Sequence, residues 1–238
     1  IDSRATMDID TTLRNYALNC ESAEQIVRQI ADVEIDDKIS FVIKKTEEIM
    51  EDSEYQGVRL SLDAYLDKTR IPLKIDISTG DVITPCEISF SYQLMFENRT
   101  IPLLAYPPET VLAEKLETIL SRGEANTRLR DFYDVYILQR EDFVVTPDAL
   151  CHALLATCRK RGHEDLLHTY ASILDRVRQS DTMRTQWMKY QSDFDYAAGI
   201  TWDTVLDTVE TLCMKTLDDH AFGDELPQEE SQFEMHLL

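Results

Sequence analysis

Residues 70–78 read RIPLKIDIS, and their alternation decides the architecture of the N-terminal half. Side chains at i and i+2 of a strand point to the same face. Leu73, Ile75 and Ile77 therefore turn toward one face, and Lys74, Asp76 and Ser78 toward the other. The same period-2 pattern runs through GVRLSLDAYL at 57–66, with Val58, Leu60, Leu62 and Ala64, and through Ile39, Phe41 and Ile43. Thr79-Gly80-Asp81 reads as a turn, and VITPCEISFSYQL at 82–94 as a further, partly extended segment. Between the first residues and this sheet, 22–33 predicts a helix. Ser22 is its cap, and Ile26, Ile30 and Val33 recur at helical spacing.

One more strand belongs to this half. RATMDID at 4–10 sets Met7 and Ile9 on one side and Asp8 and Asp10 side by side on the other. Two adjacent carboxylates repel unless a cation lies between them. A solvated strand end and half of a divalent-metal site both fit the pair taken alone. Asp76 poses the same choice, because aspartate is depleted inside strands. It faces either water or a partner. Pairing of its strand with 4–10 would bring three carboxylates to one face.

At Pro107-Pro108 the period becomes helical. Residues 108–122 form an amphipathic helix ended by Arg122-Gly123, and a second helix spans about 126–139. Thr146-Pro147 opens a third, which Gly162 ends near 161. Helices near 164–178, 180–191 and 202–216 follow. The last is capped by Thr201 and carries the stripe Val205, Leu206, Val209, Leu212 and Cys213. The fold class is thus α+β, a mixed-sheet domain over 1–106 followed by an all-helical domain over 107–217. Residues 218–238 hold seven acidic residues and no Lys or Arg, which predicts a disordered tail.

The 238 residues carry a formal charge of −21, so non-specific coating of nucleic acid is excluded as a binding mode. A polyanionic partner must be met by metal ions or by a local basic patch. Residues 108–161 carry a local net charge of only −1, with eight basic against nine acidic residues. Arg122, Arg128, Arg130, Arg159, Lys160 and Arg161 are its candidates. Five cysteines without a Cys-x-x-Cys, no signal peptide and no long apolar run predict a soluble cytoplasmic protein with free thiols and no membrane contact.

Within the helical half, Lys115 flanks the apolar stripe of its helix, with Glu114 and Glu117 on the more polar side. Such a lysine either extends its ammonium to solvent or aims it at a bound phosphate. In R-L-R-D-F-Y-D, 128–134, Asp131 and Asp134 share a helix face, and Arg130 can pair with Asp134. His163 and His168 stand at i, i+5, which is not the i, i+4 spacing of a helical zinc site. Cys151 and Cys158 read as buried thiols. No phosphate-binding glycine loop, dinucleotide fingerprint or Gly-x-Ser-x-Gly is present.

Taken in order, R-x-T-x-D-I-D (Arg4–Asp10), Y-x-G-x-R (Tyr55–Arg59), L-K-I-D-I-S-x-G-D (Leu73–Asp81), Y-P-P-E-T-V-L-A-E-K-L (Tyr106–Leu116) and R-x-R-D-F-Y-D-V-Y (Arg128–Tyr136) resemble the AbiEii/AbiGii toxin family of nucleotidyltransferases. The resemblance spans residues 4 to about 140. It implies a polymerase-β-type domain followed by a helical domain. It also implies Mg²⁺ bound by Asp8, Asp10 and Asp76, a functional lysine at Lys115 and an essential late aspartate at Asp131. Lys115, Arg128 and Arg130 would then face the nucleoside triphosphate. Some members add nucleotides to the acceptor end of tRNA, and they are usually encoded beside an antitoxin. The family's glycine turn before the paired aspartates is not found ahead of Asp8, so the reading expects an N-terminally incomplete chain. A catalytically silent member that binds a nucleotide or a protein is the alternative, and a kinase-like phosphate transfer a third reading.

Overall fold

The structure, a computed structural model, describes residues 8–14, 16–35, 38–50, 56–94, 97–140 and 145–218. Arg4, Tyr55 and the acidic stretch from 219 onward lie outside the described residues, and for Asp8 only the backbone is described.

Four strands form one sheet in the order β1-β4-β3-β2: Asp8–Leu13 (β1), Ile39–Met50 (β2), Gln56–Leu66 (β3) and Thr69–Thr79 (β4). Strands β2, β3 and β4 are an antiparallel meander, whereas β1 pairs parallel with β4. The sheet is therefore mixed, as the sequence predicts. Two residues, Asp67 and Lys68, join β3 to β4, and Asp67 takes a φ of 51° that aspartate tolerates better than most residues.

Helix α1 (Cys20–Ala31) covers one face of this sheet. Val58, Leu60, Leu62 and Ile77 meet Ala23 and Val27 there, all nearly excluded from solvent. The helix starts two residues earlier than expected. Asn19, not Ser22, is the cap, and its side chain accepts from the Ser22 amide while Ser22 Oγ accepts from the Asn19 amide. Its buried row is also different. Ala23 and Val27 contact the sheet, Ile26 is half-buried, and Ile30 and Val33 are exposed, the latter because the helix has already ended.

The arrangement leaves the opposite face, that of Asp10, Arg59 and Asp76, without a covering helix among the described residues. A two-stranded ribbon follows, Ile88–Gln93 (β5) paired with Thr100–Ala105 (β6).

From Pro108 on, every described regular element is helical: Pro108–Arg122 (α2), Leu129–Leu138 (α3), Pro147–Lys160 (α4), Leu166–Gln179 (α5), Asp181–Asp193 (α6) and Trp202–Leu217 (α7). Thr146, Ser180 and Thr201 each accept a hydrogen bond from the third residue of the helix they open. Gly123, with φ 50°, ends α2. A single apolar cluster ties the six helices together, built on Leu112, Leu116, Phe132, Trp187, Trp202 and Leu206. Trp187 is fully buried and donates its indole N–H to the Ile200 carbonyl at 2.8 Å. All five stripe residues predicted for the last helix are buried. The ribbon half meets the helices where Thr110 Oγ1 donates to the Thr84 carbonyl at 3.0 Å and accepts from the Thr84 amide.

Cys151, Cys158 and Cys213 lie inside the helical cluster or against it, and Cys86 is exposed. Burial pushes the thiols of Cys158 and Cys213 up to about 12, and thiolate is the reactive form. Under native conditions at pH 8 a maleimide is expected to label Cys86 within minutes. Cys151, Cys158 and Cys213 should label only once denaturant opens the helices. Mass spectrometry of the digested chain reads this, and equal labelling in native buffer would contradict the packing.

Candidate functional site

The sheet register brings the first pair of candidates together. Across β1 and β4, Asp10 is the Cα partner of Asp76, and Asp8 that of Lys74. Asp76 is in turn the partner of Arg59 on β3, and Arg59 that of Glu47 on β2. One transverse row thus carries Glu47, Arg59, Asp76 and Asp10. Residues directly opposed in a ladder stand on one face, here the face that α1 does not cover. Parallel pairing of β1 with β4 therefore answers the choice posed by Asp76: it does not simply face water.

Its partner is Arg59. The guanidinium donates through Nε to Oδ1 at 2.7 Å and through its terminal nitrogen to Oδ2 at 2.6 Å. This is the two-pronged geometry in which arginine matches a carboxylate best. Asp76 is 17% exposed and Arg59 35%, whereas Asp10 is exposed. The sequence quotes Arg59 within Y-x-G-x-R but does not reveal this contact, because nothing in spacing fixes which strands neighbour each other.

One step along the same face, Thr12 is the Cα partner of Ser78. Their hydroxyls lie 2.7 Å apart. Ser78 at 2.6 Å, Tyr106 at 2.8 Å, and Thr12 all donate to the same oxygen of Asp81. Burial pushes the Tyr106 phenol far above its ordinary value, so it stays a donor at any physiological pH. Asp81 thus fastens the ends of β1 and β4 to the segment that leads into α2. Ser78, Asp81 and Tyr106 all fall inside the quoted motifs, yet only the fold shows that they meet.

The second group lies between α2 and α3. Lys115 donates to Asp134 Oδ2 at 2.7 Å and stands 3.6 Å from Asp131 Oδ1. Arg128 Nε is 3.2 Å from the other Asp131 oxygen, an ion pair without hydrogen-bond alignment. Asp131 is 2% exposed, Asp134 11% and Lys115 19%. Lys115 therefore does not extend freely into water; it is held by two carboxylates one helical turn apart. Arg130 is exposed on the outside of α3. The contacts described for Lys115 are all on α3, and those described for Asp10 and Asp76 do not reach it.

Glu117 departs from the expected polar side. It is 2% exposed and bonded to Arg161 and to His163 Nδ1, the latter at 2.7 Å. Arg161, a candidate of the basic patch, is consequently turned inward, and Glu114 lies 3.9 Å from it. Arg159 remains half-exposed, 3.9 Å from Glu164. A buried carboxylate needs a cation of its own, and a guanidinium from α4's end supplies it.

Two aspartates in register offer hard oxygen donors of the kind Mg²⁺ takes, usually one or two carboxylates completed by substrate phosphates and water. Among the described residues no group of three or more His, Cys, Asp or Glu is placed to hold an ion. Asp10 and Asp76 fit the ion as a partial set. No described helix is long and apolar enough to cross a membrane.

A family model described as nucleotidyl transferase AbiEii toxin, type IV TA system, matches residues 1–208. No curated protein and no solved structure matches the chain.

Proposed function

The chain belongs to the AbiEii family of nucleotidyltransferase toxins of type IV toxin–antitoxin systems, and from that premise we propose that it transfers a nucleoside monophosphate from an NTP to a hydroxyl of tRNA. The acceptor oxygen bonds to the α-phosphorus, and the bond to pyrophosphate breaks. Residues 1–106 form the nucleotidyltransferase domain and 107–217 a helical domain, and the protein acts in the cytoplasm beside its antitoxin.

What supports this reading most is the register that pairs Asp10 with Asp76 on a sheet face that no described helix covers. Asp8, Asp10 and Asp76 would hold two Mg²⁺, which would lower the pKa of the attacking hydroxyl and offset the charge of the triphosphate and leaving group. Lys115 meets the phosphates as a point charge, with Arg128 and Arg130 nearby in sequence. Asp131 and Asp134 hold the Lys115 ammonium in place. The hydroxyls gathered on Asp81 hold the β1 and β4 ends at a fixed spacing.

Incubation with α-labelled NTPs, Mg²⁺ and total tRNA tests the proposal. Label transferred to RNA from one of the four nucleotides is the expected result. Binding of Mg·NTP without any transfer would instead assign the chain to the catalytically silent binders.

A further inference from the structure

Arg59 and the metal expected at Asp76 have claims on the same two oxygens. The guanidinium occupies both Oδ1 and Oδ2 of Asp76, at 2.7 and 2.6 Å. It is also the single cation in the transverse row Glu47, Arg59, Asp76, Asp10. At the β1 end of that row two carboxylates adjoin, and Arg59 offsets one of them. A divalent cation held on Asp76 would stand next to the guanidinium, and the two positive charges would repel. Something must receive the guanidinium as the ion is bound. A triphosphate is such an acceptor, because its paired oxygens match the arginine fork as a carboxylate does. Arg59 can reach it: it is 35% exposed and lies on the face of the sheet opposite α1.

We propose that Arg59 is a two-position cation, the counter-ion of Asp76 in the free protein and a ligand of the nucleotide's phosphates in the loaded one. This rests on the nucleotidyltransferase reading above. Metal and nucleotide binding are then coupled through one side chain. The ion alone must compete with Arg59, whereas the nucleotide relieves that competition.

Equilibrium binding on the full chain tests this without reference to turnover. Mn²⁺ alone, followed by electron paramagnetic resonance, should bind Arg59→Gln about tenfold more tightly than the unaltered chain, since its internal competitor is gone. Calorimetric titration with each NTP in saturating Mg²⁺ should show the opposite, a loss of about tenfold in affinity. Arg59→Lys keeps the charge but not the fork, so its Mn²⁺ affinity should stay close to that of the unaltered chain. Melting curves verify that each variant is folded. Mn²⁺ affinity in Arg59→Gln that is unchanged or weaker overturns the two-position assignment. An unaltered chain whose Mn²⁺ affinity does not change in Asp76→Asn overturns the metal-site reading beneath it, and the two failures are thereby separate.

Discussion

Asp10→Asn is expected to lower nucleotide transfer by about 10³-fold or more while leaving the fold intact. On the proposed site, losing a metal-binding carboxylate would remove several kcal/mol of charge stabilisation at the transition state, and each 1.4 kcal/mol is tenfold in rate. The side chain is exposed, and among the described contacts nothing depends on it for packing. Its melting temperature should therefore move by less than about 2 °C, as for a surface substitution in a chain of this size. Initial rates of label transfer beside a thermal melt separate the two effects. Near-normal transfer by a folded Asp10→Asn would remove Asp10 from the site.

Lys115→Ala should act on both quantities together. Asp131 and Asp134 sit almost out of solvent, and Lys115 contacts both. Removing the ammonium takes from Asp134 the cation at 2.7 Å and leaves Asp131 with Arg128, and breaking such a largely buried pair costs about 3 kcal/mol. In a chain of this length that lowers the melting temperature by about 10 °C. On the proposed site transfer should fall as well, because the point charge assigned to the phosphates is gone. A melt within 2 °C of the unaltered chain would mean that groups other than Lys115, Arg128 among them, balance Asp131 and Asp134.

The contrast between these variants follows from what the sequence makes legible. Alternation in RIPLKIDIS and GVRLSLDAYL identifies strands and their polar faces, because burial of one sheet face imposes period 2 on the chain itself. Caps at Thr146 and Thr201 are equally local. Strand order is not. That β1 lies parallel against β4, and so sets Asp10 opposite Asp76, depends on long-range packing that no window of residues encodes. The same limit hides the Arg59 bond to Asp76 and the three hydroxyls on Asp81. Glu117 shows a different limit. Its place on the helix looks polar until the end of α4 delivers Arg161 against it, so a carboxylate assigned to the more polar side is among the most buried charges of the described residues. Ile30 illustrates the converse, an apolar residue at helical spacing that the sheet does not reach.

The parallel pairing of β1 with β4 also imposes an order in time on a ribosome. Asp10 is made before its partner Asp76, which follows 66 residues later, an interval of roughly 3–13 s at ordinary elongation rates. The antiparallel meander can form from neighbours as it emerges, but the edge strand must wait to close a long loop. The lysine and the late aspartates emerge later still. On the proposed site, a product that stops short of Asp134 lacks the pair of carboxylates that holds Lys115, so transfer waits until that part of the helical half has been made.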